Sequence, residues 1–147
     1  MTGIRASLLF FDDEAVTRRV DAAARRVLSK FGAYVRTAAR HSIRKRRKVS
    51  APGKPPSSHV GDLRRLIFFA YEPRTKNVVI GPAAFGAGVA PALLEQEHVA
   101  GTTRLVAKRD RRGRLRRMRY RARPFMGPAF EHESPKLPAM WAGSVRG

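Results

Sequence analysis

Histidines are the side chains best suited to acid–base or metal chemistry near neutral pH, and the chain has four: His41, His59, His98 and His132. No two of them stand three or four residues apart, the spacing that brings two ligands to one face of a helix. The nearest carboxylates, such as Glu97, Glu131 and Glu133, are close sequence neighbours that a helix would point in other directions. The pattern predicts no catalytic residue, no metal site and no cofactor, and so a protein that is not an enzyme.

Basic side chains carry the other chemistry that the sequence offers. Lys and Arg number 31 against 11 Asp and Glu, which gives a net charge of +20 and predicts a polyanionic or acidic partner. One basic run is continuous, and a second group lies in and on both sides of a turn at Asp110 to Gly113. The residues that we expect to contact DNA or an acidic partner are Arg44, Lys45, Arg46, Arg47, Lys48, Arg109, Arg111, Arg112, Arg114, Arg116 and Arg117.

The kind of contact these residues would make is open at this point. Residues 103–123 hold one aromatic side chain, Tyr120, and no Asn or Gln, which favours phosphate contact over base reading. Acidic surfaces of neighbouring proteins fit the same charges equally well.

Composition indicates a single globular domain over residues 1–147. The hydrophobic fraction of 43% is ordinary, and no cysteine is present, which excludes disulfides and fits a reducing cytoplasm. "ASLLFF" at 6–11 is too short, and too soon followed by acidic residues, for a signal peptide. No window approaches the roughly 20 apolar residues that cross a bilayer, so we expect no membrane contact.

Apolar residues recur every three or four positions from residue 13 onward and predict one long helix over 13–47. Asp12 and Asp13 are suitable N-cap residues. Such a helix would be about 50 Å long, which is more than a small domain needs, so we expect part of it to pack on another subunit. Gly32 indicates a kink.

The rest of the chain divides into three segments. Residues 48–61 are a Pro/Gly loop, and 62–123 are a β-sheet region. Within it we expect a strand, or a short helical turn leading into one, at 62–73, a strand at 76–82, a short helix at 91–98 and a basic hairpin at 103–123. Residues 124–147 are a C-terminal helix, starting at about Pro128, and its tail. The expected fold is α+β: a long N-terminal helix packed on a small, mainly antiparallel sheet, with the basic hairpin and the C-terminal helix.

"RARPFMGPAFEHE" at 121–133 is a compact apolar motif in a basic chain. Pro124 predicts an extended entry, and Pro128 suits the first turn of a helix. Phe125 has two possible roles at this stage: it packs in the domain's own core, or it lies at a subunit interface.

Several motifs taken in order resemble one known family. "SAPGKPPSSHVGDLRRLI", "NVVIGP", "APALLEQEHVAGTT" and "ARPFMGPAFE" are together similar to the neck or tail-component family of tailed bacteriophages, which joins heads to tails and completes tails in lambdoid siphophages. The likeness covers roughly residues 16–133. It departs from the family where Glu97 is separated from Gly101 and Thr102. The matching positions are Pro52, Gly53, Pro55, Pro56, Gly61, Leu63, Gly81, Pro82, Ala122, Arg123, Pro124, Phe125, Pro128 and Ala129.

The resemblance implies a structural virion protein, made in the host cytoplasm, that forms a homo-oligomeric ring at the head–tail junction. A hexamer is favoured over a dodecamer. Its partners would be head-completion or connector proteins, the tail terminator or tail tube, and packaged DNA. The alternative is a non-specific nucleic-acid-binding protein of nucleoid or ribosomal type. The expected interface residues are Pro52, Gly53, Pro55, Pro56, Phe85, Arg123, Pro124, Phe125, Met126 and Phe130.

Overall fold

The computed structural model describes residues 12–59, 61–83, 103–109, 113 and 115–145, and helix α1 (Asp13–Ser42) is the longest element described. The Asp12 side chain accepts a hydrogen bond of 2.8 Å from the backbone N–H of Ala15, which satisfies an amide that the first turn leaves without a partner. Asp13 and Glu14 add negative charge at the positive end of the helix dipole. The start of α1 therefore lies where the sequence predicts it.

The end of α1 differs from the prediction. The helix stops at Ser42 rather than at 47, and Ile43 takes an extended conformation with its side chain buried in the core. Strand β1 (Arg44–Lys45) follows and pairs in parallel with β2 (Ser57–Ser58). The prediction of a helix through 47 was wrong, because the burial of Ile43 and the pairing of β1 redirect the chain.

The other described elements confirm the predicted α+β fold. The predicted helix at 91–98 and Phe85 lie outside the described residues. The C-terminal helix begins at Met126, slightly before the predicted Pro128. The remaining elements are α2 (Asp62–Arg65), β3 (Ile67–Glu72), β4 (Asn77–Pro82), β5 (Thr103–Arg109), β6 (Leu115–Arg121), α3 (Met126–Glu133), a 3-10 turn (Ser134–Lys136) and α4 (Leu137–Trp141).

Two antiparallel hairpins form the β-structure beside the short β1–β2 pair. In the first, Ile67 of β3 pairs with Pro82 of β4, and the tight turn ends at Lys76, whose φ is 53°. In the second, β5 pairs with β6 from Thr103 opposite Arg121 to the other end of the strands, as predicted for the basic hairpin. Gly113 supplies a φ of +76° in its turn.

An ion pair ties the first hairpin to α1. Lys76 Nζ lies 2.6 Å from a carboxylate oxygen of Asp21. Hydrogen bonding to this carboxylate, and attraction by its charge, raise the pKa of Lys76. Both side chains are largely exposed, so the pair orients the turn of the hairpin more than it stabilises the fold.

One face of α1 forms one side of the hydrophobic core. Side chains at every fourth position of the helix are buried, and β3 and α3 pack over them. The buried cluster consists of Phe31, Val35, Ala39, Ile43, Ile67, Phe125 and Ala129.

Gly32 does not interrupt α1; it lies where the helix packs against the β3–β4 hairpin. A Cβ at this position would lie 2.8 Å from Cγ2 of Val78 and 2.9 Å from Cδ2 of Phe69. Real Cβ atoms do not approach other atoms so closely, so only glycine lets the hairpin lie at this distance. The helix is continuous through this position, and a bend of its axis there stays a prediction.

We predict that Gly32→Ala destabilises the protein by about 1–3 kcal/mol, because the added methyl overpacks the helix–hairpin contact. Urea unfolding checks this. Gly81→Ala is the matched control, since a Cβ there meets no atom within 4 Å. A Gly32→Ala protein more stable than the wild type, as helix propensity alone would make it, would contradict the contact.

Candidate assembly and anion-binding surfaces

The structure decides between the two roles open to Phe125. Its side chain is 0% exposed and belongs to the core cluster with Phe31 of α1 and Ile67 of β3. The residue stands at the N-cap of α3, so its ring fastens that helix to α1 and the sheet. Its predicted place at a subunit interface was wrong, because a side chain without exposed surface cannot contact another subunit.

Residues just before Phe125 hold the Pro/Gly loop. Arg123 Nε donates to the backbone oxygen of Ser50 at 3.1 Å, and the N–H of Gly53 donates to the backbone oxygen of Ala122 at 3.0 Å. These two bonds attach the loop to the chain between the basic hairpin and α3. Arg123, a predicted interface residue, is half-buried in this contact.

The remaining predicted interface positions divide by burial. Pro56 is buried inside the subunit, which argues against a direct role at an interface, whereas Pro55 and Pro124 are half-buried. Pro52 is exposed on the loop. Met126 is half-buried and packs against the core cluster.

Phe130 lies at the edge of an apolar groove. Half of its surface is exposed, and its ring meets that of Phe31 edge to face, with centroids 5.7 Å apart. The groove has a volume of about 370 Å³ and runs between α3 and β4, with Val78 and Ile80 on its far side. Of the predicted interface residues, Met126 and Phe130 line this groove together.

Two further apolar surfaces are exposed. Val16 and Val20 on the first turns of α1 are 42% and 43% exposed. Phe68 and Val79, on the side of the β3–β4 hairpin that faces away from α1, are 50% and 65% exposed. The periodicity of α1 indicated the first surface, while the second needed the strand register.

The predicted basic residues are placed as follows. The run from Arg44 to Lys48 is exposed throughout and follows the end of α1. Arg109 lies at the end of β5, and Arg116 and Arg117 lie on β6, opposite Lys108 and Ala107. Arg111, Arg112 and Arg114 lie outside the described residues.

The structure adds a basic cleft that sequence reasoning missed. It has a volume of about 520 Å³ and lies between the last turns of α1, β1 and the start of α2. Only Lys45 of the predicted basic run lines it. No sequence pattern links the other members, because they meet only when the Pro/Gly loop brings α2 back to the end of α1. Its lining residues are Thr37, Arg40, His41, Lys45, Gly61, Arg64 and Arg65.

A buried carboxylate lies at the end of α3. Glu133 is 6% exposed and accepts a hydrogen bond of 2.8 Å from Lys136 Nζ, and His132 Nδ1 lies 2.9 Å from its other oxygen. The hydrogen bond from Lys136 lowers the pKa of Glu133, and the contact with His132 acts in the same direction. The pair joins α3 to the 3-10 turn.

Comparisons with protein-family models, curated proteins and solved structures found no match for this chain. Within the described ranges, no three His, Cys, Asp or Glu side chains are placed to hold a metal ion together. The helices in the same part of the chain include none long and apolar enough to span a bilayer.

Phe125→Ala should lower the free energy of unfolding by about 3–5 kcal/mol, because it empties a fully buried site in the core. Denaturant unfolding measures the loss. Val49→Ala, at an exposed position, should change it by no more than about 0.5 kcal/mol. A Phe125→Ala protein of wild-type stability would contradict the core role.

The stability of the fold should depend on Glu133 at acidic pH. Because its pKa is lowered in the folded protein, the carboxylate stabilises the fold fully above its ordinary value of 4.5 and stops doing so as the pH falls through the folded-state value. Thermal unfolding at a series of pH values should show a weaker acid dependence in Glu133→Gln than in the wild type. The exposed Glu131 provides the control, Glu131→Gln. If the thermal stabilities of the wild type and Glu133→Gln fall equally as the pH is lowered, the proposed role of the buried carboxylate is contradicted.

Proposed function

We propose that the protein is a non-enzymatic structural subunit of a ring at the head–tail junction of a tailed phage particle. In this role it joins the portal–connector complex to the tail and surrounds the DNA path. The observation that carries the proposal is the apolar stripe of α1, which continues past the core of the subunit.

The apolar stripe of α1, which is the set of apolar side chains at every third or fourth position of the helix, extends beyond the part of the helix that one subunit buries. From Val27 to Ile43 its members are in the core, but residues 13–22 contain no buried residue. That segment is about 15 Å long and carries Val16 and Val20 in the same periodic register. Val16 and Val20 continue the apolar spacing of the core residues, but more than two-fifths of each residue is exposed. An exposed apolar helix surface of this kind is suited to burial against a second chain.

The apolar surfaces favour a ring over a closed dimer. The stripe at the start of α1 and the outer side of the β3–β4 hairpin, with Phe68 and Val79, lie on different elements and differ in shape. When one surface of a subunit fits another surface of its neighbour, the contact is heterologous, and a rotation that closes gives a cyclic oligomer. We infer that the helix of one subunit packs on the hairpin or groove of the next.

The head–tail location rests on the motif resemblance and on charge. The order of the Pro/Gly loop, the "VIGP" strand end and the "ARPF" motif is similar to that of the phage neck family. A hexamer would carry six times the +20 of one chain, and at about 0.1 M salt such charge is screened only beyond about 10 Å. Packaged DNA and acidic neck partners would supply the opposing charge.

Native mass spectrometry and negative-stain microscopy of the full chain test the ring. We expect a closed oligomer, of six subunits in preference to twelve. Val16→Glu combined with Val20→Glu should leave monomers, because two carboxylates cannot be buried in an apolar contact. Circular dichroism should remain that of the wild type, since both positions lie outside the core.

Val49→Glu combined with Val145→Glu is the matched control, because both valines are at least half exposed and neither belongs to α1. It should still form rings. Rings that survive the α1 substitutions would contradict the helix contact. A wild-type chain that stays monomeric at high concentration and binds free DNA would favour the alternative, a nucleic-acid-binding protein of nucleoid or ribosomal type.

A further inference from the structure

We propose that the basic cleft between α1, β1 and α2 binds the phosphate groups of a nucleic-acid backbone. The proposal rests on the cleft alone and does not depend on ring formation. The cleft is lined by four cationic side chains, Arg40, Lys45, Arg64 and Arg65, and by His41. They come from three separate elements, so the concentration of charge is produced by folding and not by a run in the sequence.

Among the residues that the structure describes, no carboxylate neutralises the positive charge of the cleft. In the described part of the chain, lysine ion pairs occur elsewhere: Lys76 with Asp21, and Lys136 with Glu133. The four cations of the cleft have no carboxylate partner among the same residues, and the cleft lining contains no Asp or Glu. Like charges held together in a concave surface repel each other, so an anion that enters the cleft relieves that repulsion.

The walls of the cleft are held in place by a chain of backbone contacts. Lys45 pairs with Ser58 across the β1–β2 strands. Ser58 Oγ accepts a hydrogen bond of 2.9 Å from the N–H of Gly61, and the oxygen of Gly61 accepts one of 3.0 Å from the N–H of Arg65. The backbone positions that carry Lys45 and Arg65 are therefore fixed before a ligand arrives, which reduces the backbone entropy lost on binding.

The lining favours a phosphodiester backbone over a peptide. Apart from its four cationic side chains it holds only Thr37, His41 and Gly61, so it offers no Phe, Tyr or Trp ring for a base and no apolar pocket for a side chain. Arginine presents a planar fork of N–H donors that matches phosphate oxygens. Contacts of this kind position a nucleic acid without reading its sequence.

The test is binding of a short fluorescent DNA duplex to the full chain, measured by anisotropy over a range of salt concentrations. The variant Lys45→Gln/Arg64→Gln/Arg65→Gln removes three exposed cations of the cleft. Each lost phosphate contact lowers the salt slope of binding by about 0.9, so we expect a slope shallower by about 2–3 and an affinity at least roughly tenfold weaker.

Arg18→Gln/Arg19→Gln/Arg25→Gln is the matched control. It removes the same charge from exposed positions of α1, and Arg25 lies about 20 Å along the helix from Arg40. We expect the salt slope of this control to change by less than about 1. Equal losses in the two triple variants would mean that net charge alone attracts DNA, and would overturn the site while leaving ring formation untouched.

Competition identifies the ligand class. Polyglutamate at the same charge concentration should displace the duplex from the wild-type chain poorly. If it displaces the duplex as well as unlabelled DNA does, the cleft recognises acidic protein surfaces and the assignment to nucleic acid is wrong. Circular dichroism of each variant establishes that the changes in binding do not come from unfolding.

Discussion

Burial of one face of α1 is the constraint on which the rest of the structure depends. Phe31, Val35 and Ile43 provide an apolar floor, and the β3–β4 hairpin and α3 are stable only while they cover it. Gly32 sets how closely the hairpin lies, and Phe125 fastens α3 from the other side. The described residues form little core beyond this layer, so each of these contacts contributes a large share of the stability of that part of the chain.

The same layer explains where the surfaces lie. Because the β3–β4 hairpin and α3 cover only the second half of α1, Val16 and Val20 remain exposed at its start. The turn of the chain at Ile43 brings β1 toward the start of α2. The apolar end and the basic cleft are thus at opposite ends of one helix. A subunit of this shape can hold a neighbour with one end and a polyanion with the other.

Sequence reasoning was successful where local patterns decide structure. The periodicity of α1, the two hairpins and the helix after the "ARPF" motif were predicted because apolar spacing, turn residues and proline positions act over a few neighbouring residues. It failed at Ile43, where packing in the core outweighed helix propensity, and it missed the close contact of Gly32 with the β3–β4 hairpin. It did not decide the role of Phe125, since an apolar residue within a motif is equally consistent with a place in the core and with a place at a subunit interface.

By itself, the sequence determined the α+β class, the excess of positive charge and the order of the elements, because these follow from composition and short-range spacing. Only the tertiary structure decided that Phe125 is internal, that Arg123 holds the Pro/Gly loop, and that Arg40, Lys45, Arg64 and Arg65 line one cleft. Each of these depends on residues distant in the chain. These contacts depend on how the Pro/Gly loop and the hairpin pack over α1, and no short-range sequence pattern predicts that packing.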